Sequence, residues 1–276
     1  KQNIYKYIIM HYNMKIIKQT REVGTSAGVL LPREWLNKQV VVQIINPDIK
    51  SIKKRVFEIL IEEDILQEVF GIYLVGSYAR QEQTYESDID ILVITSNTNK
   101  RIKKDFYEIT LISEKNLKKQ LDENILPILP WLIESKAIIN ESLIQKYKNT
   151  KLTKNNLKWH IDTTKSAMNV VKEDIKLSEE FPEIKMMNSS AYSLILRLRT
   201  IYIIECLKKG KLWKKKEFLN LIKNISGSLN TYEIYNEVKN KNKSNLNLSV
   251  KEAKKLINYI NEKINEIEKW AKGKKD

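Results

Sequence analysis

The chain has 276 residues, 42% of them hydrophobic, and carries 49 Lys+Arg against 34 Asp+Glu, a net charge of +15. That is enough apolar material for about two domains at about 150 residues each. A lone Cys206 excludes an intrachain disulfide scaffold, and a histidine content of only His11 and His160 removes most zinc sites and most Ser-His or Cys-His catalysis.

Any chemistry therefore falls to carboxylates. Apolar runs stop well short of the roughly 18 to 20 residues of a membrane span, and the opening KQNIYKYIIMHYNMKIIKQ interleaves polar groups too closely for a signal peptide. The expectation is a cytoplasmic protein with no membrane partner. Residues 1–50 hold 8 basic and 3 acidic groups, residues 51–150 hold 14 and 16, and residues 151–276 hold 27 and 15, giving +5, −2 and +12. A near-neutral middle between basic ends predicts separate units, with ends that attract a polyanion or simply form a solvated Lys-rich surface.

Residues 14–45 read as short strands, MKIIKQTREVG, GVLLP and VVVQII, with turn formers Gly24, Gly28 and Pro32 between them. The text REVGTSAGVLLPREWLNKQVVVQII resembles the AbrB-like swapped-hairpin domains over about thirty residues. The resemblance implies a homodimerising or DNA-binding module acting through Lys15, Lys18, Arg21, Arg33 and Lys38; the other reading is a β appendage that only packs on its neighbours.

After Pro47, SIKKRVFEILIEEDI has a helical period with Ile52, Val56, Ile59, Leu60 and Ile65 on one face and Ser51 as N-cap. FGIYLVG is a buried strand, SYARQEQ opens a helix or turn, and DIDILVIT is a second strand. RIKKDFYEITLIS supplies a third and KAIINESLI a fourth, so residues 51–145 alternate as an α/β unit. From residue 151 the strand signals vanish. Four or five long amphipathic segments predict a helical bundle, and NKNKSNLNLS, without periodicity, reads as a mobile loop.

The chemically informative string is GIYLVGSYARQEQTYESDIDILVI, residues 71–94. A strand running into Gly76-Ser77 and then a helix brings backbone N–H groups to a turn that suits a phosphate, and glycine lets the backbone come close. Asp88 and Asp90, two apart on a strand, share a face while Ile89 points into core. Paired carboxylates repel unless a cation sits between them, and hard oxygen ligands favour Mg2+ or Mn2+. Glu108 in FYEITLI alternates against Tyr107 and Ile109 and is the third carboxylate expected at the site; Asp105, at the strand entry, is the runner-up.

This pattern resembles the DNA polymerase beta nucleotidyltransferase superfamily, in particular its minimal branch, written G-S-x-A-R-G-x-x-x-x-x-S-D-x-D. Here it reads Gly76, Ser77, Tyr78, Ala79, Arg80, then Gln81 in place of the usual Gly, then Ser87, Asp88, Ile89 and Asp90. The third acid is Glu instead of the commoner Asp. The resemblance implies an α+β protein: an N-terminal β unit (1–46), a mixed-sheet nucleotidyltransferase domain (47–150) and a helical bundle (151–276). It implies Asp88, Asp90 and Glu108 as catalytic metal ligands and Gly76, Ser77 and Arg80 as nucleotide-binding. Its cofactors are Mg2+ or Mn2+ with ATP or another NTP, and its partners are the nucleotide and an acceptor protein or small molecule. A nucleotide-sensing DNA-bound regulator is the alternative.

More faintly, ILPWLIESKAIINESLI looks like the family's closing strand, and SLILRLRTIYIIECLKKGKLWKKKEFLNLI resembles the helical domains of aminoglycoside nucleotidyltransferases and HEPN-like bundles. Tyr202, Glu205, Lys214 and Lys215 are candidate triphosphate or acceptor contacts. A HEPN-type ribonuclease needs a His following Arg197 or Arg199, and none does.

Overall fold

The computed structural model describes residues 16–42, 44, 47–84, 87–241 and 246–273. Two compact units divide the chain, residues 1–45 and 46–276. In the first, β1 (Arg21–Val23) and β2 (Ser26–Gly28) form an antiparallel hairpin through a Gly24 turn, and a single 3-10 turn covers Arg33–Trp35. The Val-rich segment expected as a closing strand is irregular over Val40–Val42. Val41 is 97% exposed, so nothing among the described residues covers it. Residues 1–15, Lys15 among them, lie outside the described residues.

The second unit opens with α1 (Ile49–Glu62). Its N-cap is Asp48, whose carboxylate accepts from the Ser51 amide at 2.7 Å, so the cap lies three residues before the expected Ser51. Ile52, Val56, Ile59, Leu60 and Ile65 are all buried, as their period predicts. Then come β3 (Val69–Val75), α2 (Gly76–Arg80), β4 (Ile89–Thr95), β5 (Lys100–Lys104) and β6 (Tyr107–Ser113). They are followed by α3 (Glu114–Glu123), α4 (Leu129–Glu134), β7 (Lys136–Ile139) and α5 (Glu141–Lys148). The single strand expected over RIKKDFYEITLIS is two, because Asp105 takes a left-handed turn with φ 55° and folds β5 back on β6.

The sheet order is β5-β6-β4-β3-β7; β4 and β6 run parallel and every other pair is antiparallel. Alternation divides its faces. Ile72, Leu74, Ile89, Ile91, Val93, Ile109 and Leu111 pack on α1, while Tyr73, Val75, Leu92, Ile94 and Ile112 join the core of the helical region. That region holds α6 (Lys154–Glu180), α7 (Asn188–Lys208), α8 (Lys215–Ser226), α9 (Asn230–Lys239) and α10 (Val250–Lys272). A Thr153–Asn156 capping box starts α6, and Asp174 of α6 accepts from Met187 N–H and Ser190 Oγ to start α7. Residues 246–249 of the expected mobile loop have no regular structure, but Leu248 is buried in the core; residues 242–245 lie outside the described residues. No helix among the described residues is long and apolar enough to cross a membrane.

Because one apolar cluster joins the sheet to the bundle, the two regions should unfold together. Leu92→Ala, which removes a fully buried side chain from that cluster, is expected to cost about 2–5 kcal/mol. Guanidinium denaturation should show one transition moved to lower concentration; two separated transitions would mean that sheet and bundle are stable independently.

Candidate active site

The end of β3 meets β4 where Val75 pairs with Asp90. At the next residue the chain turns into α2, and Gly76 has φ +70°. A Cβ on Gly76 would collide with Asp90 Oδ2 and lie 2.9 Å from its Cγ. Glycine is therefore required twice, by the backbone conformation and by the carboxylate beside it. The α2 helix ends at Gln81, whose left-handed φ of 61° is what the usual glycine of this motif would adopt freely.

Asp90 and Glu108 are register partners on the parallel strands β4 and β6, flanked by buried Ile89, Ile91, Tyr107 and Ile109, so both carboxylates face the bundle side of the sheet. The Asp90 carboxyl is pushed up to about 6, first by burial and then by the charges of Glu108, Asp88 and Glu134. Asp88 and Glu108 are drawn aside by the edge strand: Lys103 Nζ lies 3.5 Å from Asp88 Oδ2, and Arg101 Nη1 lies 3.3 Å from Glu108 Oε1. Among the described residues no three His, Cys, Asp or Glu side chains are gathered closely enough to hold a metal ion. Asp90 and Glu108 lie side by side in register, while Asp88 and Glu108 are paired with cations of β5. The donor set still fits a hard divalent cation by chemistry, since Asp90 carries charge that its neighbours oppose and that such an ion would offset.

Asp105, the runner-up, faces away, with its carboxylate 3.4 Å from Arg55 of α1. Gly76 and Arg80, expected at the nucleotide, direct their donors inward. Gly76 N–H donates to Glu134 Oε1 at 2.8 Å, and Arg80 donates from Nη1 to Glu134 Oε2 at 2.7 Å and from Nε to Glu82 at 2.9 Å. The Arg80 guanidinium also lies 4.4 Å from the Trp213 ring, which Arg199 approaches at 4.7 Å. Ser77 Oγ has no partner among the described residues.

Sequence reasoning missed Glu134 and Trp213. Both lie far along the chain from the motif, and the one local signal is that Glu134 closes the apolar run Leu129–Ile133. The bundle candidates are engaged elsewhere: Tyr202 donates to Glu217 at 3.1 Å, Glu205 pairs with Lys208 and Lys214 with Glu217, while Lys215 is exposed. Arg197 donates to Thr163 at 3.0 Å, and the His160 pKa is pushed down to about 4 by burial and by Arg197.

The raised Asp90 pKa sets a pH dependence. Between about 4 and about 6 the folded state holds a proton that the unfolded chain releases, so stability falls as pH rises through that window. A rise of about two units bounds the loss at about 3 kcal/mol. Asp90→Asn measured in chelator is expected to melt higher than wild type at pH 7 and to flatten the decline; a difference in melting between variant and wild type that is the same at pH 4 and pH 7 would contradict it.

The sequence matches the family model described as "Nucleotidyltransferase domain" over residues 53–219, and a second model described as "Putative transposon-encoded protein (DUF2080)" over residues 10–48. No curated protein matches the chain. Among solved structures, it is similar to a nucleotidyltransferase-like protein from Exiguobacterium sibiricum 255-15, at 15% identity and TM-score 0.37, covering 78% of this chain and 75% of that one. It is also similar to spectinomycin adenyltransferase AAD(9) from Enterococcus faecialis, solved with ATP and spectinomycin, at 15% identity and TM-score 0.40, covering 78% and 99%. Since the first model takes in more than half of the 276 residues, including the Gly76 turn and the Asp88, Asp90 and Glu108 carboxylates, the chain belongs to the nucleotidyltransferase domain family.

Proposed function

We propose that the protein transfers a nucleoside monophosphate, AMP from ATP, to a hydroxyl group of an acceptor and releases pyrophosphate. The observation that carries this reading is the in-register pair Asp90 and Glu108, set beside a glycine turn that leaves Asp90 no room for a neighbouring Cβ. In the reaction the acceptor oxygen forms a bond to the α-phosphorus, the bond from that phosphorus to the β-bridging oxygen breaks, and the hydroxyl proton is lost to base. Asp88, Asp90 and Glu108 would hold Mg2+ or Mn2+, with Glu108 also favouring deprotonation of the hydroxyl; such ions, when bound, neutralise phosphate charge and activate the nucleophile. Reaching that state asks Asp88 and Glu108 to give up Lys103 and Arg101. Those cations are 63% and 67% exposed, and pairs of that kind contribute little.

Gly76 spends its amide on Glu134, so phosphate contact is assigned to Ser77, whose hydroxyl is uncommitted among the described residues. The acceptor is a hydroxyl of a protein or a small molecule. The +12 charge of residues 151–276 weighs against a polycationic one.

Labelled ATP incubated with Mg2+, enzyme and cell lysate should place label on the acceptor. Asp88→Asn and Asp90→Asn are each expected to lower transfer by more than about a hundredfold, since even the outer partners of metal ligands contribute 10–100-fold. Ser77→Ala should weaken ATP by about tenfold or more, as for a lost hydrogen bond to a charged group. Full transfer by either Asn variant would refute the assignment.

The N-terminal unit supports a second element of the proposal. It leaves Val23, Leu30, Leu36, Val41, Val42 and Ile44 exposed, too much apolar surface for so few residues to cover alone. We assign it to pairing with a second copy, and its exposed Lys18, Arg21, Arg33 and Lys38 to duplex DNA. Deleting residues 1–46 should convert a dimer to a monomer in solution and abolish duplex binding that weakens steeply with salt. A truncated protein that stays dimeric would exclude the pairing role, and one that keeps its DNA binding would move that activity to the basic helical region.

A further inference from the structure

Glu134, at the end of α4, is the acidic side chain most completely removed from water around the site, with 1% of its side chain exposed. Isolated, a carboxylate so buried is strongly disfavoured, and a buried ion pair is a poor source of stability compared with apolar packing. Its bonds to both ends of the Gly76–Arg80 turn point to a use beyond holding the fold.

We propose that Glu134 is a positioning residue of the transfer site, fixing the Gly76–Arg80 turn in the shape that presents Ser77 beside Asp90. This rests on the nucleotidyl-transfer reading above. One carboxylate grips both ends of the five-residue α2 helix: Oε1 takes the Gly76 amide at its start, and Oε2 takes Arg80 at its end. A helix that short does not hold itself, and its first amides have no intrahelical acceptor. The turn also ends on Gln81 with a left-handed φ of 61°, a conformation a non-glycine residue holds only where its surroundings impose it.

The grip continues into the helical region. Arg80 lies over one part of the Trp213 ring at 4.4 Å, Arg199 of α7 approaches the same ring at 4.7 Å, and Glu82 takes the remaining Nε donor of Arg80. Glu134 itself is out of reach of any substrate that leaves the core intact. It acts only through the turn.

Calorimetric titration of ATP with Mg2+ into wild type, Glu134→Gln and Glu134→Ala, with melting temperatures measured alongside, tests the role. Gln can still accept from the Gly76 amide but loses the ion pair with Arg80, so ATP affinity is expected to fall by about tenfold, the weight of a charge-assisted bond. Ala loses both contacts and should fall further, and adding Arg80→Ala to it should change affinity little, because the two residues form one strut. If the Ala variant does not fold, the Gln variant decides alone. ATP affinity equal to or tighter than wild type in Gln, with only the melting temperature lowered, would reduce Glu134 to a structural residue and overturn the proposal. A wild-type protein that binds no nucleotide would instead overturn the transfer reading, which keeps the two failures apart.

Discussion

The bifurcated grip of one buried carboxylate on a five-residue helix is the contact from which the site is built. Glu134 reaches the turn from α4, itself placed by Leu129, Leu132 and their packing in the core that joins sheet and bundle. Because the Gly76 amide and the Arg80 guanidinium are fixed by that one side chain, the path of the chain between β3 and β4 is fixed with them. Asp90 then stands against the glycine where no Cβ could be accommodated. Burial pushes the Glu134 carboxyl upward, and Arg80, the Gly76 amide and Arg199 oppose the shift.

Around that strut the charges are divided by the pleat. The edge strand β5 carries four cations in five residues, KRIKK. Lys100 and Lys104 meet Glu63 and Glu62 on the α1 side, while Arg101 and Lys103 meet Glu108 and Asp88 on the side of the site, with Ile102 buried in the core. Burial pushes the Asp90 carboxyl up, and the charges of Glu108, Asp88 and Glu134 add to the shift while Arg80 opposes it. The edge pairs are exposed and weak and so are open to exchange for a better electrophile, whereas the Glu134 pair is dry and expensive to break.

Residues 46–276 and 1–45 solve burial differently. The larger unit has sheet and helices share a continuous apolar cluster running from Tyr73 to Ala271. Among its described residues the smaller unit exposes most of its large apolar side chains, and its two described strands are three residues each. A hairpin of that length gives a chain too little cross-strand contact to be stable alone. This is the physical ground for assigning it a partner.

By itself the sequence determined what depends on short-range periodicity: the strand into Gly76, the placing of Asp90 between buried Ile89 and Ile91, the alternation that sets Glu108 between buried Tyr107 and Ile109, the apolar stripe of α1 and the long helices after residue 153. Each is a repeat of two or of 3.6 residues, written locally. Tertiary structure alone decided the rest. It chose Asp48 over Ser51 as cap, folded one expected strand into β5 and β6 at Asp105, left Val40–Val42 irregular, and set Arg80 against a buried acid. It also brought Glu134, Trp213 and Arg199 to the turn after Gly76. No local pattern encodes those meetings, because a buried ion pair or a cation stacked on a ring is specified by which elements share a core, and that is settled only when the whole chain has packed.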